Sequence, residues 1–244
     1  YWPDGTYVST ASIPNFHLVR HFGPGAVKRG SDVYTPDGSN QAADSCLYVA
    51  TSGSGSNDGL SATEPFLTAQ EAFDALKNAG QHLRGSWRVA LAAGTYNSFA
   101  VLDGVTSDNR IEIFGPDVSA GVPTAIVDGT GLTASSLYGW LLTNGVYAKV
   151  KDIKLYNWNG GSGVGPGDAS VGLNVLQGCN VWADNVDADL CGTGHYFTRS
   201  RGYVGRGRVT NCDAGSLAFA SSQVAFGYGA ATEYTGIPIA ITCR

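Results

Sequence analysis

The chain has 244 residues, 34 of them glycine; 14% are charged, 43% are hydrophobic, none is methionine, and the formal net charge is −5. Globular proteins average roughly 7% glycine and about 25% charged residues, so the composition argues against a helical bundle or coiled coil, which needs charged faces and tolerates little glycine. The ordinary hydrophobic content argues against disorder, and the acidic balance argues against nucleic acid as a partner. A turn-rich β protein fits: only Glu64, Glu71, Glu112 and Glu233 are glutamates, and the other acids are aspartates, which favour turns. No apolar run approaches the ~18 residues of a membrane span. The cysteines, at 46, 179, 191, 212 and 243, are odd in number and lack CxxC spacing. They read as free, mostly buried thiols and not as zinc ligands or a disulfide framework. A chain without methionine that opens Tyr1-Trp2-Pro3-Asp4 reads as a piece of something longer.

Residues 1–45 hold short apolar words broken by Pro3, Pro14, Pro24 and Pro36, and are expected to form an extended arm or a small β subdomain. The stretch 52–61, SGSGSNDGLS, is a loop by composition. The strongest helix signal lies at 68–79, where Ala69, Ala72, Phe73 and Leu76 recur at helical spacing. Thr68 with Glu71 makes a capping box, Pro65 marks the approach and Gly80 the end. From Trp87 onward the chain turns to short β-type words: 87–99, 110–114 and 122–128, then a repeat. Segment 139–157 slides onto 172–190 with an offset of 33, matching Gly139 to Gly172, Trp140 to Leu173, Ile153 to Val186 and Leu155 to Ala188. A second slide of 23 brings Val181 to Val204 and Val186 to Val209. Strands of constant length joined by turns of variable length are what stacked β coils require. The words QVAFGYG and IPIAITCR read as one more coil that stops without a cap.

The segment CLYVATSGSGSNDGLSATEPFLTAQEAFDAL, 46–76, resembles the opening of pectate-lyase-like right-handed parallel β-helix proteins. Tyr48-Val49, Gly55, Asn57-Asp58-Gly59-Leu60-Ser61, Pro65-Phe66, Thr68, Gln70, Ala72 and Asp74-Ala75-Leu76 carry the likeness. The preceding Val27-Lys28-Arg29-Gly30 is similar to the connector of bacteriophage tailspikes, with Ser31 departing from a second glycine. The resemblance implies an all-β, right-handed, single-stranded parallel β-helix, truncated at its C-terminal end. Its parts would be a neck element at 1–45, a start with capping helix over 46–85, and incomplete coils over 86–244. It also implies a homotrimer in the virion tail, joined to other tail or baseplate proteins, that binds bacterial surface polysaccharide and depolymerises it by hydrolysis. A polysaccharide lyase of the same fold and a non-catalytic adhesin or stalk are the rival readings.

Hydrolysis of a glycan needs two carboxylates, about 5–5.5 Å apart for retention or roughly 6.5–9.5 Å for inversion. If Val186, Ala188 and Leu190 face inward, Asp187 and Asp189 share the outer face with α-carbons about 6.6 Å apart. The offsets place Lys154 and Thr210 beside Asp187, and Tyr156 and Cys212 beside Asp189. A solvated strand face with a Lys154–Asp187 ion pair accounts for the same residues. Calcium held by DNVDAD is a weaker reading, because the loop lacks the glycine and distal glutamate of an EF-hand; no cofactor is expected. Arg199, Arg201, Arg206 and Arg208 form either a hydrated basic face or a strip that binds acidic sugars. The offset would turn Arg206 inward, so either the register slips near Gly205 and Gly207 or Arg206 sits in a turn. Tyr156, Trp158 and Trp182 are candidate sugar platforms, Trp140 reads as core, and His195 as a lone histidine. The turn 163–168 lacks the lysine of a P-loop and reads as a long turn; because turns that bulge from stacked coils shape binding grooves, Asp168 is a secondary carboxylate candidate.

Overall fold

The computed structural model describes residues 45–118, 121–132, 138–158 and 170–226. It also gives the backbone of strands Val27–Arg29, Asp32–Tyr34, Thr232–Thr235 and Ile239–Cys243. Strands dominate, and apart from the antiparallel pair Val27–Arg29 with Asp32–Tyr34, the strand pairings are parallel. An 11-stranded sheet and a 6-stranded sheet hold nearly all of them. The larger sheet has two limbs joined through the long strands Tyr147–Tyr156 and Asn180–Asp189, so the strands fall into three ladders.

The first ladder stacks Ser45–Val49, Trp87–Leu91, Ile111–Phe114, the opening halves of the two long strands, Arg201–Gly205 and Gln223–Phe226. The second stacks Gly94–Tyr96, Ala125–Asp128, the closing halves of the long strands, Gly207–Thr210 and Thr232–Thr235. The third runs Ala100–Asp103, Tyr138–Thr143, Val171–Leu176, Thr193–Thr198, Ala214–Phe219 and Ile239–Cys243. From Trp87 the chain visits first, second and third ladder in turn and then begins again.

Period-2 alternation sends one side of every ladder inward. Leu47, Val89, Ile113, Val150, Ala183 and Val204 form one buried column. Leu102, Leu142, Val175, Phe197 and Ala218 form another, on the third ladder. The offset of 33 is confirmed, since Trp140 pairs with Leu173 and Ile153 with Val186. The offset of 23 is corrected to 21 on the larger sheet, where Val181 pairs with Gly202, Ala183 with Val204 and Ala188 with Val209. A slip of two residues keeps every apolar side chain on the inward side, so the hydrophobic pattern cannot detect it.

The corners carry a signal of their own. Asn144, Gln177 and Arg199, one turn apart, have φ of 58°, 52° and 51°; Asn157, Leu190 and Asn211 have 56°, 55° and 52°. Asp152 and Asn185, at 55° and 54°, bend the two long strands from first ladder to second. There Asn185 Nδ2 donates to Asp152 Oδ1 at 2.7 Å, stacking one corner on the next. Asparagine and aspartate tolerate this left-handed geometry better than other residues with a Cβ, and five of these eight corners hold Asn or Asp.

The helix Ala69–Ala79 is where the spacing puts it. Thr68 Oγ1 accepts from Glu71 N at 3.3 Å, and Glu71 Oε2 accepts from Thr68 N at 2.9 Å, completing the capping box. Its apolar side, Ala69, Ala72, Phe73 and Leu76, is buried, with Phe73 edge-on to Trp140 at 5.6 Å. Gln70 serves the strand Ala100–Asp103, the end of its ladder. Val101 N donates to Gln70 Oε1 at 2.7 Å, and Gln70 Nε2 donates to Val101 O at 3.3 Å. One side-chain amide thus takes the place of a neighbouring peptide on an edge that would otherwise be open. Before the helix, Asn57 Nδ2 donates to Pro65 O at 2.8 Å and Asp58 Oδ1 accepts from Leu60 N at 2.9 Å. Gly59, at φ 67°, lies so close to the Phe66 ring that a Cβ would collide with it.

Candidate functional site

The outward side of the second ladder brings the candidate acids together. Lys154 pairs with Asp187 in register and Tyr156 with Asp189; one turn further on, Thr210 pairs with Asp189. The expected place of Thr210 beside Asp187 is therefore corrected by the same two-residue slip, and the neighbour of Asp187 is Arg208. Arg208 N donates to Asp187 Oδ1 at 2.8 Å, and its Nε lies 3.3 Å from Oδ2. Lys154 makes its ion pair with Asp189, not Asp187, at 2.9 Å to Oδ2, while Asn211 Nδ2 donates to Asp189 Oδ1 at 3.0 Å.

The two carboxyls differ in environment. Asp187 is 4% exposed, and burial pushes its pKa up against the opposing pull of Arg208 and Lys154. Asp189 is also partly desolvated, which would raise it, but bonds from Lys154, Asn211 and Thr210 outweigh burial and bring it below the usual value. Asp184, on the first-ladder half of the same strand, is lowered chiefly by Arg206, whose Nε and Nη2 both reach it at 2.8 Å. Arg206 lies in the turn between strands Arg201–Gly205 and Gly207–Thr210, which resolves the sequence alternatives in favour of a turn.

The four arginines do not form one strip. Arg206 and Arg208 face aspartates at the bend, while Arg199 and Arg201 sit at the other end of the Arg201–Gly205 strand, both exposed. Tyr156 is half-buried, with Lys154 Nζ 5.0 Å from its ring centre. Trp158 is corrected as a platform: it is 2% exposed, and its indole donates to Val127 O at 3.0 Å. Rotation past the Asn157 corner turns it inward. Trp182 is 41% exposed, on the outward side of the first ladder. The Arg110 guanidinium stacks 3.9 Å from its ring centre, and Tyr203 lies 5.6 Å away. Beside Lys149, the register neighbour of Trp182, a cleft of about 390 Å³ is lined by Arg88, Glu112, Asp117 and Lys151 among others. The sequence reading missed this cleft, because its residues come from three separate turns. Asp168 lies outside the described residues.

His195 is fully buried in the third ladder, hydrogen-bonded to Ser216 Oγ at 3.0 Å and to Val186 O at 3.2 Å, and burial lowers its pKa to about 4. Among the described residues no three His, Cys, Asp or Glu side chains are grouped to hold a metal, and no helix is long and apolar enough to cross a membrane. Compared with known proteins, the chain matches no family model, no curated protein and no solved structure.

Proposed function

We propose that the chain is part of a bacteriophage tailspike: a right-handed, single-stranded parallel β-helix of the pectate-lyase type, capped by the helix Ala69–Ala79. In this reading it is homotrimeric and cleaves bacterial surface polysaccharide by hydrolysis. The observation that carries the chemistry is the pair Asp187 and Asp189, two residues apart on one outward side, with pKa values displaced in opposite directions. Carboxyls pushed apart in this way divide the labour of glycoside hydrolysis. Asp187, the more readily protonated, protonates the leaving oxygen; Asp189 stays ionised and acts as nucleophile or as base for water. Tyr156, in register with Asp189, offers a ring to the sugar beside the scissile bond. Trp182 extends the aromatic surface onto the first ladder, and Arg199 with Arg201 contact acidic sugars.

The test is incubation with a panel of capsular and O-antigen polysaccharides, with product analysis. Asp187→Asn and Asp189→Asn are expected each to lower the rate at least 100-fold while leaving glycan binding intact. Full activity in both variants would sink the assignment.

A second reading, a β-helical adhesin that binds without cleaving, is favoured by one observation. Both oxygens of each carboxylate are already engaged, by Arg208 on Asp187 and by Lys154 and Asn211 on Asp189. Binding with no product after long incubation selects it. An unsaturated uronic end in the products selects a lyase.

A further inference from the structure

Cys191 and Cys212 are unlike the other described thiols. Cys191 follows the left-handed corner residue Leu190, and Cys212 follows the corresponding corner, Asn211, one turn on. Backbone bonds hold the two turns in register on both sides of the pair: Leu190 N donates to Thr210 O at 3.1 Å, Asp213 N to Cys191 O at 3.3 Å and Ala214 N to Gly192 O at 2.9 Å. Cys191 N donates to Cys212 Sγ at 3.4 Å, while the Cys191 thiol reaches Asp189 O at 3.6 Å and the Cys212 thiol reaches Thr210 O at 3.2 Å. Both are about 2% exposed. Neighbouring strands lie ~4.8 Å apart, inside the roughly 4.4–6.8 Å α-carbon range that a disulfide spans. Cys179, also buried, has Ser200 at the corresponding place one turn on, with Arg201 N donating to Cys179 O at 2.8 Å, so it has no thiol to meet.

We propose that Cys191 and Cys212 are a modification site: an oxidisable pair that a peroxide converts to a disulfide clamping two consecutive turns together. The two thiols are not equivalent. Cys212 Sγ accepts a backbone N–H, from Cys191 at 3.4 Å, which favours its thiolate; hydrogen bonding from Cys191 draws the Cys212 thiol below its usual pKa, while burial pushes Cys191 well above it. Cys212 is therefore the sulfur that reacts first. Its thiolate attacks one peroxide oxygen, the O–O bond breaks, hydroxide leaves, and Cys212 becomes a sulfenic acid. Cys191 sulfur then attacks the Cys212 sulfur; the S–S bond forms, the S–O bond breaks, and the leaving hydroxide takes up the thiol proton. In balance, two thiols and one hydrogen peroxide give one disulfide and two waters, with two electrons passing from sulfur to oxygen. Small size matters here, because only a compact oxidant reaches sulfurs buried this far.

The experiment is treatment of the native protein with hydrogen peroxide, followed by alkylation in denaturant, intact mass and peptide mapping without reductant. The expected result is a protein that takes up two fewer alkyl groups than the reduced control, with a cross-linked Cys191–Cys212 peptide about 2 Da lighter than its two reduced halves, one pair of hydrogens, and a melting midpoint higher than in the reduced protein. With Cys191→Ser, Cys212 is expected to be trapped as sulfenic acid by dimedone; with Cys212→Ser, Cys191 stays reduced, and Cys179→Ser changes nothing. The wild-type mapping stands whether or not the variants fold. Both thiols still alkylatable after peroxide treatment, a cross-link through another cysteine, or oxygen addition without linkage would overturn the proposal.

Discussion

His195 sits where the third ladder would otherwise carry an apolar residue: its column reads Trp140, Leu173, His195, Ser216. Both ring nitrogens have partners, so the neutral ring is accommodated and the charged ring is not. The unfolded chain takes up a proton near 6.5, while the folded chain resists until about 4. Stability from this residue is complete above pH 6.5 and falls as the pH drops through that window, by about 3 kcal/mol in all. His195→Leu is expected to be less stable at pH 7, because the Ser216 hydroxyl and Val186 carbonyl lose a partner. It is also expected to flatten the pH dependence between 6.5 and 4 in denaturant titrations. An unchanged slope would show that another group carries the acid sensitivity. The aspartates act at lower pH and in both directions. Asp184 and Asp189, lowered, lose their stabilisation as the pH falls below about 4. Asp187, raised, favours the folded state on acidification, and that contribution fades as the pH rises through its own pKa.

Elements show which features the sequence exposes and which it hides. The helix was legible because its capping box, apolar spacing and closing glycine are all local. So was the offset of 33, because Tyr147–Tyr156 and Asn180–Asp189 are equally long and pair along nearly their whole length. The next turn was misplaced by two residues, since its strand is broken at Arg206 and inward parity survives such a slip. That slip alone hid Arg208 from Asp187. The Asn-rich corners were visible in the sequence as Asn144, Asn157, Asn185 and Asn211, but their meaning depends on three-dimensional stacking. Asn185→Ala is expected to cost roughly 2–4 kcal/mol, because it forces alanine into the left-handed region and removes a buried donor from Asp152. Chemical denaturation measures this, and a loss under 1 kcal/mol would mean that the corner bond is dispensable. Gln70→Ala leaves Val101 N–H and C=O without their amide partner. A lower melting midpoint and concentration-dependent association through the uncovered edge are expected, read by calorimetry and light scattering. Thr68→Ala removes the cap alone, at about 1 kcal/mol, and should leave association unchanged.

For the whole molecule, ladder geometry gathers the few charged side chains into close contacts. Each turn adds one residue to every outward column, so charged and aromatic side chains from distant parts of the sequence line up at the ~4.8 Å strand spacing. Lys154 with Asp189 and Arg208 with Asp187 are such contacts, as is the Lys149–Trp182–Tyr203 column beside the cleft. The high glycine and low charge in the composition are what this architecture asks for. The proposed chemistry rests on one strand, Asn180–Asp189, and on whether its two outward carboxylates cleave a glycan or only brace the ladders. The direct test is product release from capsular and O-antigen polysaccharides by the wild-type protein beside Asp187→Asn and Asp189→Asn, each shown to be folded. Hydrolysis at this pair gives new saturated reducing ends with the wild type and at least a 100-fold lower rate with either variant; equal rates in all three would contradict it.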